Sequence, residues 1–599
     1  MKLKYYLFFI LFTLTVISLS SCHNDDEIIP SGISNQSWQE GKAIEITQGK
    51  VLSVTFNAAD KWTATTNSIW CSILTPSGEK GQSTLQLSTM TGTSTGRTST
   101  ITIKVNGYPT INFDVKQNIG EAPVSEDMTV NTKVAQYLRE NYLWNDEYKT
   151  LSLDYTKSYE KFFYDALESM TTNTLDKKPY TGSDGKTYYS LFSYIDKRTP
   201  ITATRATRLV DKELSYSFGI TGLTLVSIGS SSSDYTIYFC VQGVYPDSPA
   251  AKAGIKRGAM ISKINGEKIS QSNLEHNYYS LMLPDAVLSL TLTEDIIEKG
   301  EKTGSKDTPL TSKAMYLNPV ITSKVEEVEG HKIGYLVYSG FEASFDQELF
   351  DAFKKFKSQN VSDLILDLRY NGGGHTISAN LIASCIAADA SINKTFTSLR
   401  YNKERMEKLN NKQEIELFAY PNHYKNLSTP LTEGGLGLQR VYCLVSNKTA
   451  SASELVINSL RGIDVKVILI GEKTKGKNVG MEYKDYAVEG HIYRVAPITF
   501  QSYNAKGFGD YEKGFEPDNG LKIKETNPFN QEGMFYILKD YGTNEEPLYA
   551  KAVELITGKN PMKSAITRGA HSALKGQVRN VPALHHPGYD GMLKKYEED

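Results

Sequence analysis

Residues 362–375, which read SDLILDLRYNGGGH, indicate the class of fold most directly. Ser362–Arg369 has the length and apolar content of a buried strand, three glycines follow, and a helical pattern begins after them. Glycine tolerates positive φ, so adjacent N–H groups in this turn can converge on an anion beside the helix N-terminus. A merely flexible turn is the alternative interpretation. The strand–turn–helix order favours an α/β fold.

Two further clusters lie at similar junctions. Residues 449–454, TASASE, separate a predicted strand from an apolar helix, a place where a nucleophilic serine gains from nearby N–H donors. Ser451 and Glu454 also fit a capping box, so capping the helix is the plainer interpretation of this serine. Residues 471–477, GEKTKGK, follow another predicted strand. A lysine buried there loses proton affinity and can act as general base to a serine.

Strands and helices alternate around these clusters, and we predict one α/β core over residues 298–558. Ile333–Val337 is a buried-type strand, and Phe345–Phe356 has helical spacing. Residues 559–599 are basic, punctuated by Gly and Pro and weakly periodic, which predicts a partly ordered tail.

Residues 212–297 resemble a PDZ domain. The stretch VYPDSPAAKAGIKRG at 244–258 matches the helix and turn of such domains. Phe218, Gly219 and Ile220 lie where these domains carry their carboxylate-binding loop. The resemblance implies that an extended peptide adds to a strand edge while backbone N–H groups hold its terminal carboxylate.

Together these motifs resemble the carboxyl-terminal processing (tail-specific) serine peptidases, a Ser/Lys family with a PDZ domain ahead of the catalytic core. The resemblance covers about residues 130–540 and includes the motif GFEPD at 514–518. It implies a crotonase/ClpP-like core in which Ser451 is the nucleophile, Lys477 is the general base and Thr474 supports the lysine.

The same resemblance implies an oxyanion hole made by the N–H of Ala452 and by one of the triple glycines, Gly373 or its neighbour Gly374, with Gly373 preferred. Two departures concern the surroundings of the lysine. Lys475 stands where an aromatic residue is usual, and Met481 stands where a glutamine is expected.

Three competing patterns are weaker. Residues 92–96, GTSTG, fit a nucleophile elbow, but no helix is predicted to follow them. Residues 471–477 nearly fit a P-loop, but Asn478 replaces its Ser/Thr and a strand, not a helix, is predicted next. His375 could belong to a Ser/His arrangement, but the sequence places no carboxylate beside it.

The region between residue 35 and the PDZ domain divides into three parts. Residues 129–211 mix helical spacing with polar loops and are predicted to form a helical cap, and 119–128 form a linker. Residues 35–118 alternate in the manner of a small β-sandwich. With Trp62, the Trp70-Cys71 pair and Arg97 before a Thr-rich strand, they resemble the BACON-type domains of bacterial surface lipoproteins. That resemblance implies either glycan contact or a stalk.

The first residues predict export. Residues 1–21 have a basic start and a short apolar stretch, as in a secretory signal peptide, and LSSC at 19–22 resembles a lipobox. The resemblance implies lipidation of Cys22, followed by an acidic tether over 22–34, and a protein anchored in the cell envelope. Several acyl chains on one residue give lasting anchorage. A plain secreted protein is the alternative.

Composition limits the remaining possibilities. The 599 residues carry a net charge of −2, so no global field attracts nucleic acid. At 40% hydrophobic and 22% charged residues, the chain is globular rather than disordered or fibrous. Of five cysteines, the four after Cys22 are expected to be buried free thiols, and without CxxC or HExxH the sequence predicts neither metal nor cofactor.

The sequence therefore predicts a membrane-anchored serine endopeptidase that acts on peptides or proteins and recognises their C-termini through the PDZ domain. A non-catalytic surface lipoprotein that binds glycans or peptides on a peptidase fold is the alternative. The sequence does not predict an oligomeric state.

Overall fold

The computed structural model describes residues 31–561, together with the short segments 575–578 and 592–595. Within 31–561 the gaps are 48–49, 69, 90–95, 119–124, 182–185, 199–211, 213, 230–234, 285, 299–300, 423, 425–426 and 526–537. The predicted signal peptide and Cys22 lie outside the described residues. Over the described part, no helix has both the length and the apolar character needed to span a bilayer.

The chain forms two compact units, residues 1–124 and 125–599, and the division lies inside the predicted linker. The first unit is a β-sandwich, as its alternating pattern predicts. Its strands are β1 (Ile33–Ser34), β2 (Ile44–Glu45), β3 (Val51–Ala58), β4 (Trp62–Thr66), β5 (Cys71–Ile73), β6 (Ser77–Gly78), β7 (Gly81–Thr89), β8 (Arg97–Val105) and β9 (Ile111–Gln117). They form two sheets, of order β1-β3-β7-β5 and β2-β9-β8-β4-β6.

Tryptophans mark the core of this sandwich. Trp38 and Trp62 are buried between the sheets, where Trp62 also donates to Ser83 Oγ at 2.9 Å. Trp70 is partly exposed and lies under the guanidinium of Arg97 at 4.5 Å.

The second unit begins with helices and then departs from the predicted helical cap. The helices are α1 (Glu126–Asn141), α2 (Asn145–Tyr148) and α3 (Tyr159–Ser169). Residues 177–198, predicted as part of the cap, instead form β10 (Lys177–Thr181), β11 (Thr187–Leu191) and β12 (Tyr194–Arg198). The helical prediction is wrong there because β10 and β11 pair with each other as a hairpin, and because β12 finds a distant partner: Tyr194 pairs with Ala496 across three hundred residues of chain. Tertiary pairing of this kind outweighs local propensity.

The PDZ-like domain follows, with the elements β13 (Ser215–Ser217), β14 (Ile220–Gly229), β15 (Tyr235–Val244), α4 (Pro249–Lys252), β16 (Met260–Ile264), β17 (Glu267–Lys268), α5 (Leu274–Met282), β18 (Ser289–Glu298), β19 (Glu301–Thr311) and β20 (Lys313–Met315). Its sheet has the order β19-β18-β16-β15-β14. The sheet extends to Thr311, past the predicted limit at residue 297, because β19 pairs along the whole of β18.

The α/β core comes last, with the elements β21 (Val320–Val328), β22 (His331–Tyr338), α6 (Asp346–Ser358), β23 (Asp363–Asp367), β24 (Gly374–His375), α7 (Thr376–Ala387), β25 (Thr395–Arg400), α8 (Lys403–Lys408), β26 (Glu414–Leu417), β27 (Arg440–Val445), α9 (Ala452–Gly462), β28 (Lys466–Gly471), β29 (Val479–Val488), β30 (His491–Ala496), β31 (Ile498–Tyr503) and α10 (Pro547–Thr557). It is built on a sheet of order β21-β22-β23-β27-β28, whose last four strands are parallel.

Helices cover both faces of this sheet. Leu336 and Leu366 share one buried cluster with α6, α7 and α9, while Tyr335 and Ile365 share another with α10. Successive side chains of β22 and β23 therefore pack alternately into two cores, as expected for a parallel sheet. The crotonase/ClpP-like class of the core stays a prediction.

A second sheet, β12-β30-β29-β31-β25-β26, lies beside the core and receives a strand from the predicted tail. The tail contributes β32 (Lys575–Val578), which pairs with β14, and β33 (Met592–Lys595), which pairs with both β24 and β29.

Candidate active site

Ser451 lies between β27 and α9, at the carboxyl end of a parallel strand. Its backbone has φ 59° and ψ −110°, a region that costs an L-residue about 1–3 kcal/mol. The residue is 0% exposed, and its Oγ has no hydrogen-bond partner among the described residues. A buried hydroxyl usually finds a partner. A strained backbone and an unpaired hydroxyl together are typical of a nucleophile held for a substrate.

Glu454 connects this serine to residues 471–477, the lysine segment. Its carboxylate accepts the N–H of Ser451 at 2.9 Å and the N–H of Lys477 at 2.8 Å. It also accepts the N–H of Gly476 at 2.7 Å and the hydroxyl of Thr474 at 2.5 Å. Burial raises the pKa of Glu454, while these four donors act in the opposite direction. The sequence showed Glu454 only as a capping residue, but it holds both predicted catalytic segments.

Thr474, predicted to support the lysine, belongs to the same hydrogen-bonded cluster as Glu454. Its hydroxyl donates to Glu454 and accepts the N–H of Phe515 at 2.7 Å. This bond ties the lysine segment to the GFEPD motif at 514–518.

Burial distinguishes Lys475 from Lys477 in the lysine segment. Lys477 is 0% exposed, whereas Lys475 is exposed and its N–H donates to Thr449 O at 2.9 Å. Gly476 lies between them with φ 87°, and a Cβ there would come within 2.4 Å of Glu512 O. Because the chain turns at this glycine, two lysines that would share a face of a strand have different surroundings.

Residues ahead of the PDZ-like domain, beside the strands β10, β11 and β12, surround Lys477. The ammonium of Lys477 lies 4.4 Å from the ring centroid of Phe192. The N–H of Phe192 donates to Asp176 at 2.8 Å, and the hydroxyl of Tyr142 donates to the same carboxylate at 2.7 Å. Burial raises the pKa of Asp176, and the charge of Lys477 lowers it. Sequence reasoning missed these residues because they precede the lysine by about three hundred positions.

The glycine turn adopts the positive φ predicted for it, 118° at Gly373 and 132° at Gly374. Asn371 anchors this turn to the serine: its carbonyl accepts the N–H of Ala450 at 3.1 Å and the hydroxyl of Ser453 at 3.0 Å. Its side chain accepts the N–H of Gly373 at 2.9 Å. Gly373 is therefore engaged, and it can donate to an oxyanion only by sharing or exchanging that bond.

Ala452, the other residue predicted for the oxyanion hole, lies at the start of a helix. It is the first residue of α9, and the first N–H groups of a helix have no intrahelical acceptor. Its N–H directly follows Ser451 and lies at the positive end of the helix dipole.

A buried charge network fixes the strand before the glycine turn. Arg369, 1% exposed, donates to Asp367 at 2.8–2.9 Å and to Glu546 at 2.7–2.9 Å. Burial alone would raise the pKa of Glu546, but the charge of Arg369 holds that pKa below its usual value. Arg257 of the PDZ-like domain bonds Glu525, which also accepts the hydroxyl of Tyr370 at 2.5 Å. The PDZ-like domain thus contacts the core next to the turn.

The predicted carboxylate loop of the PDZ-like domain is partly occupied by internal bonds. Gly219 has φ 89°, and a Cβ there would come within 2.0 Å of Ser248. Its N–H donates to Ser217 Oγ at 2.9 Å, and the side chains of Phe218 and Ile220 are buried. One of the predicted amides is therefore already paired.

The competing patterns remain weaker in the structure. His375 Nδ1 lies 3.0 Å from Phe341 O. The same nitrogen lies 4.0 Å from a carboxylate oxygen of Glu342, which the sequence did not place beside it. The strand β29, not a helix, follows Lys477, which contradicts a P-loop. Residues 92–95 lie outside the described residues. The four described cysteines are buried free thiols, as predicted.

The fold and the site define a class: an α/β hydrolytic core with a serine nucleophile, preceded by a PDZ domain. Residues 332–520 match the family model of Peptidase family S41, 241–292 match the PDZ domain and 129–194 match the Peptidase S41 N-terminal domain. The chain belongs to peptidase family S41, with its N-terminal and PDZ domains.

Named relatives agree with this family. A carboxyl-terminal-processing protease of Picosynechococcus sp. is 29% identical over 315 residues, 52% of this chain and 65% of the relative. Carboxyl-terminal-processing peptidase 1 of Arabidopsis thaliana chloroplasts is 25% identical over 265 residues, 44% of this chain and 48% of the relative. The match thus spans less than two thirds of each relative.

Solved structures show the same fold. The crystal structure of an S41 protease from Bacteroides fragilis aligns with a TM-score of 0.53 at 24% identity, covering 73% of this chain and 99% of that one. At this identity the likeness concerns the fold alone.

Proposed function

We propose that the protein is a serine peptidase in which Ser451 attacks a peptide carbonyl and Lys477 receives its proton. One observation carries the proposal: a buried, strained Ser451 with an unpaired Oγ is held by the same carboxylate that holds the Lys477 backbone. Such an arrangement keeps nucleophile and base in fixed relation without a histidine.

The reaction has two stages. Ser451 Oγ bonds to the carbonyl carbon, its proton passes to the neutral amine of Lys477, and the N–H of Ala452 with one glycine N–H stabilises the oxyanion. Lys477 then protonates the leaving amine, which leaves an acyl-enzyme. Water attacks the ester carbonyl carbon while Lys477 takes a proton from the water. The bond between that carbon and Ser451 Oγ then breaks as Lys477 returns the proton to Oγ, so the carboxylic acid is released and the Ser451 hydroxyl and the neutral Lys477 are restored.

The nucleophile is tested by a pair of serine variants. Ser451→Ala should abolish hydrolysis of an unstructured protein substrate. Ser453→Ala should lose its bond to Asn371, about 1 kcal/mol of stability, and still cleave. Hydrolysis by Ser451→Ala at a rate near that of the unaltered protein would exclude the proposed nucleophile.

We also propose that the PDZ domain presents substrate C-termini to the core. Its support is the PDZ match over 241–292 and the contact of Arg257 with Glu525 beside the glycine turn. Amidating the C-terminus of a good peptide substrate should slow its cleavage severalfold. Equal rates for acid and amide would show that the domain reads internal sequence instead.

We propose, finally, a lipid anchor at Cys22 and an envelope location, supported by the lipobox-like LSSC. Cys22→Ser should move the protein from washed membranes to the soluble fraction, and retention after a salt wash would contradict the anchor. Glycan contact by the BACON-like sandwich is a further proposal, whose support is the partly exposed Trp70. Binding to a mucin-coated surface that Trp70→Ala leaves unchanged would contradict it.

A further inference from the structure

The tail of the chain occupies a slot beside the active site. The strand β33 lies between β24 and β29, with Met592 opposite both Gly374 and Gly480 and Leu593 opposite both His375 and Met481. It runs parallel to both neighbours. Both edges of this slot therefore pair with one extended segment.

The slot is bounded by the proposed catalytic segments. Gly374 directly follows Gly373 of the predicted oxyanion hole, and Gly480 is three residues after Lys477. At about 3.8 Å per residue, the slot lies within about 12 Å of the Lys477 backbone. On its other side, the β24 segment is fixed to the core, because the N–H of His375 donates to Phe341 O at 2.7 Å.

The same tail covers a second peptide edge. The strand β32 pairs antiparallel with residues 226–229 of β14, from Val226 opposite Val578 to Gly229 opposite Lys575. In the described sheet β14 has β15 on one side and β32 on the other. The strand β14 begins at Ile220, within the predicted carboxylate loop, so this is the edge on which a PDZ ligand would add.

We infer that the slot between β24 and β29 binds an extended peptide by strand addition, and that residues 592–595 of this chain are its resident ligand. Backbone pairing recognises any extended segment without proline, so the tail and a substrate compete for the same edges. The tail is therefore a competitive inhibitor of its own peptidase. The competition rests on the proposed function, whereas the occupancy does not.

The expected effect follows from effective concentration. A ligand carried on the same chain as its site is presented at an effective concentration of about 1 mM. If the free segment binds with a Kd of about 0.1 mM, about nine tenths of the molecules are occupied, and releasing the tail raises kcat/KM about tenfold at equal kcat. A synthetic peptide of residues 589–597 should then inhibit the released enzyme competitively. The same peptide N-methylated at Leu593 should not inhibit, because it loses a backbone donor.

The experiment uses the full chain. Met592→Pro combined with Lys594→Pro removes backbone donors from β33, and Leu584→Pro, placed between the two tail strands, is the matched control. Hydrogen exchange of residues 480–483 should accelerate at least tenfold in the double variant and stay unchanged in the control. Equal exchange in all three proteins would overturn the occupancy.

Activity then separates the two proposals. A lower KM in the double variant supports competition, and an unchanged KM alongside faster exchange overturns it. If exchange accelerates but none of the three proteins hydrolyses peptides, the occupancy stands and the proposed function fails.

Discussion

Glu454→Gln is the perturbation that most sharply tests how the site is assembled. The carboxylate accepts four donors, and three of them are backbone amides, at Ser451, Gly476 and Lys477. A glutamine keeps one acceptor oxygen, so two donors face an NH2 group. Hydrogen bonds to a charged group contribute about 1.5–3 kcal/mol each, so the gross loss is about 3–6 kcal/mol. Relief of the buried charge offsets part of that loss, because burial raises the pKa of Glu454.

We expect kcat to fall at least 100-fold, since about 2.7 kcal/mol of lost positioning corresponds to that factor. Steady-state hydrolysis of a fluorogenic peptide measures kcat, and differential scanning calorimetry shows that the variant is folded. Glu472→Gln is the control, because that side chain is only partly buried and lies in the lysine segment that Glu454 holds. If folded Glu454→Gln turns over within threefold of the unaltered protein, the carboxylate does not organise the site.

Three further predictions concern the base, a buried acid and the charge network. Lys477→Arg should be inactive, because guanidinium does not deprotonate, whereas the exposed Lys475→Arg should keep most activity in the same assay; the reverse result would place the base at the other lysine. Burial raises the pKa of Asp346 to about 8, so its contribution to stability is complete below about pH 4 and is lost as the pH rises to 8. Asp346→Asn should remove that decline, about 4 kcal/mol between pH 5 and pH 8 at about 1.4 kcal/mol per unit, and equal slopes in thermal unfolding would refute the assignment. Arg369→Met leaves two buried carboxylates unpaired and should cost about 3–5 kcal/mol, read as a lower midpoint in urea, and an unchanged midpoint would contradict the network.

The sequence predicted the features whose signals are local. The glycine turn, the serine junction and the lysine segment all follow parallel strands, and glycine permits the positive φ that Gly373 adopts. Helix periodicity and strand alternation likewise predicted β22, α6 and β29. These patterns need no knowledge of distant partners.

The remaining features depend on contacts between distant residues. Asp176 and Phe192 reach Lys477 only through the pairing of β12 with β30, which no local pattern shows. Asn371 looks like an ordinary turn residue until its carbonyl is seen to accept donors beside the serine. Glu454 was detectable, because the capping box placed it, but its three other donors come from a segment twenty residues away.

Covalent labelling by a serine-reactive phosphonate identifies the nucleophile directly. We expect one adduct on the full-length protein, on the tryptic peptide that contains Ser451, formed at a rate that drops when Lys477 is replaced by Arg. Ser451→Ala should take up no label while keeping its melting temperature within a few degrees. Stoichiometric labelling of a different serine, with peptide hydrolysis lost in step, would contradict Ser451 as the nucleophile.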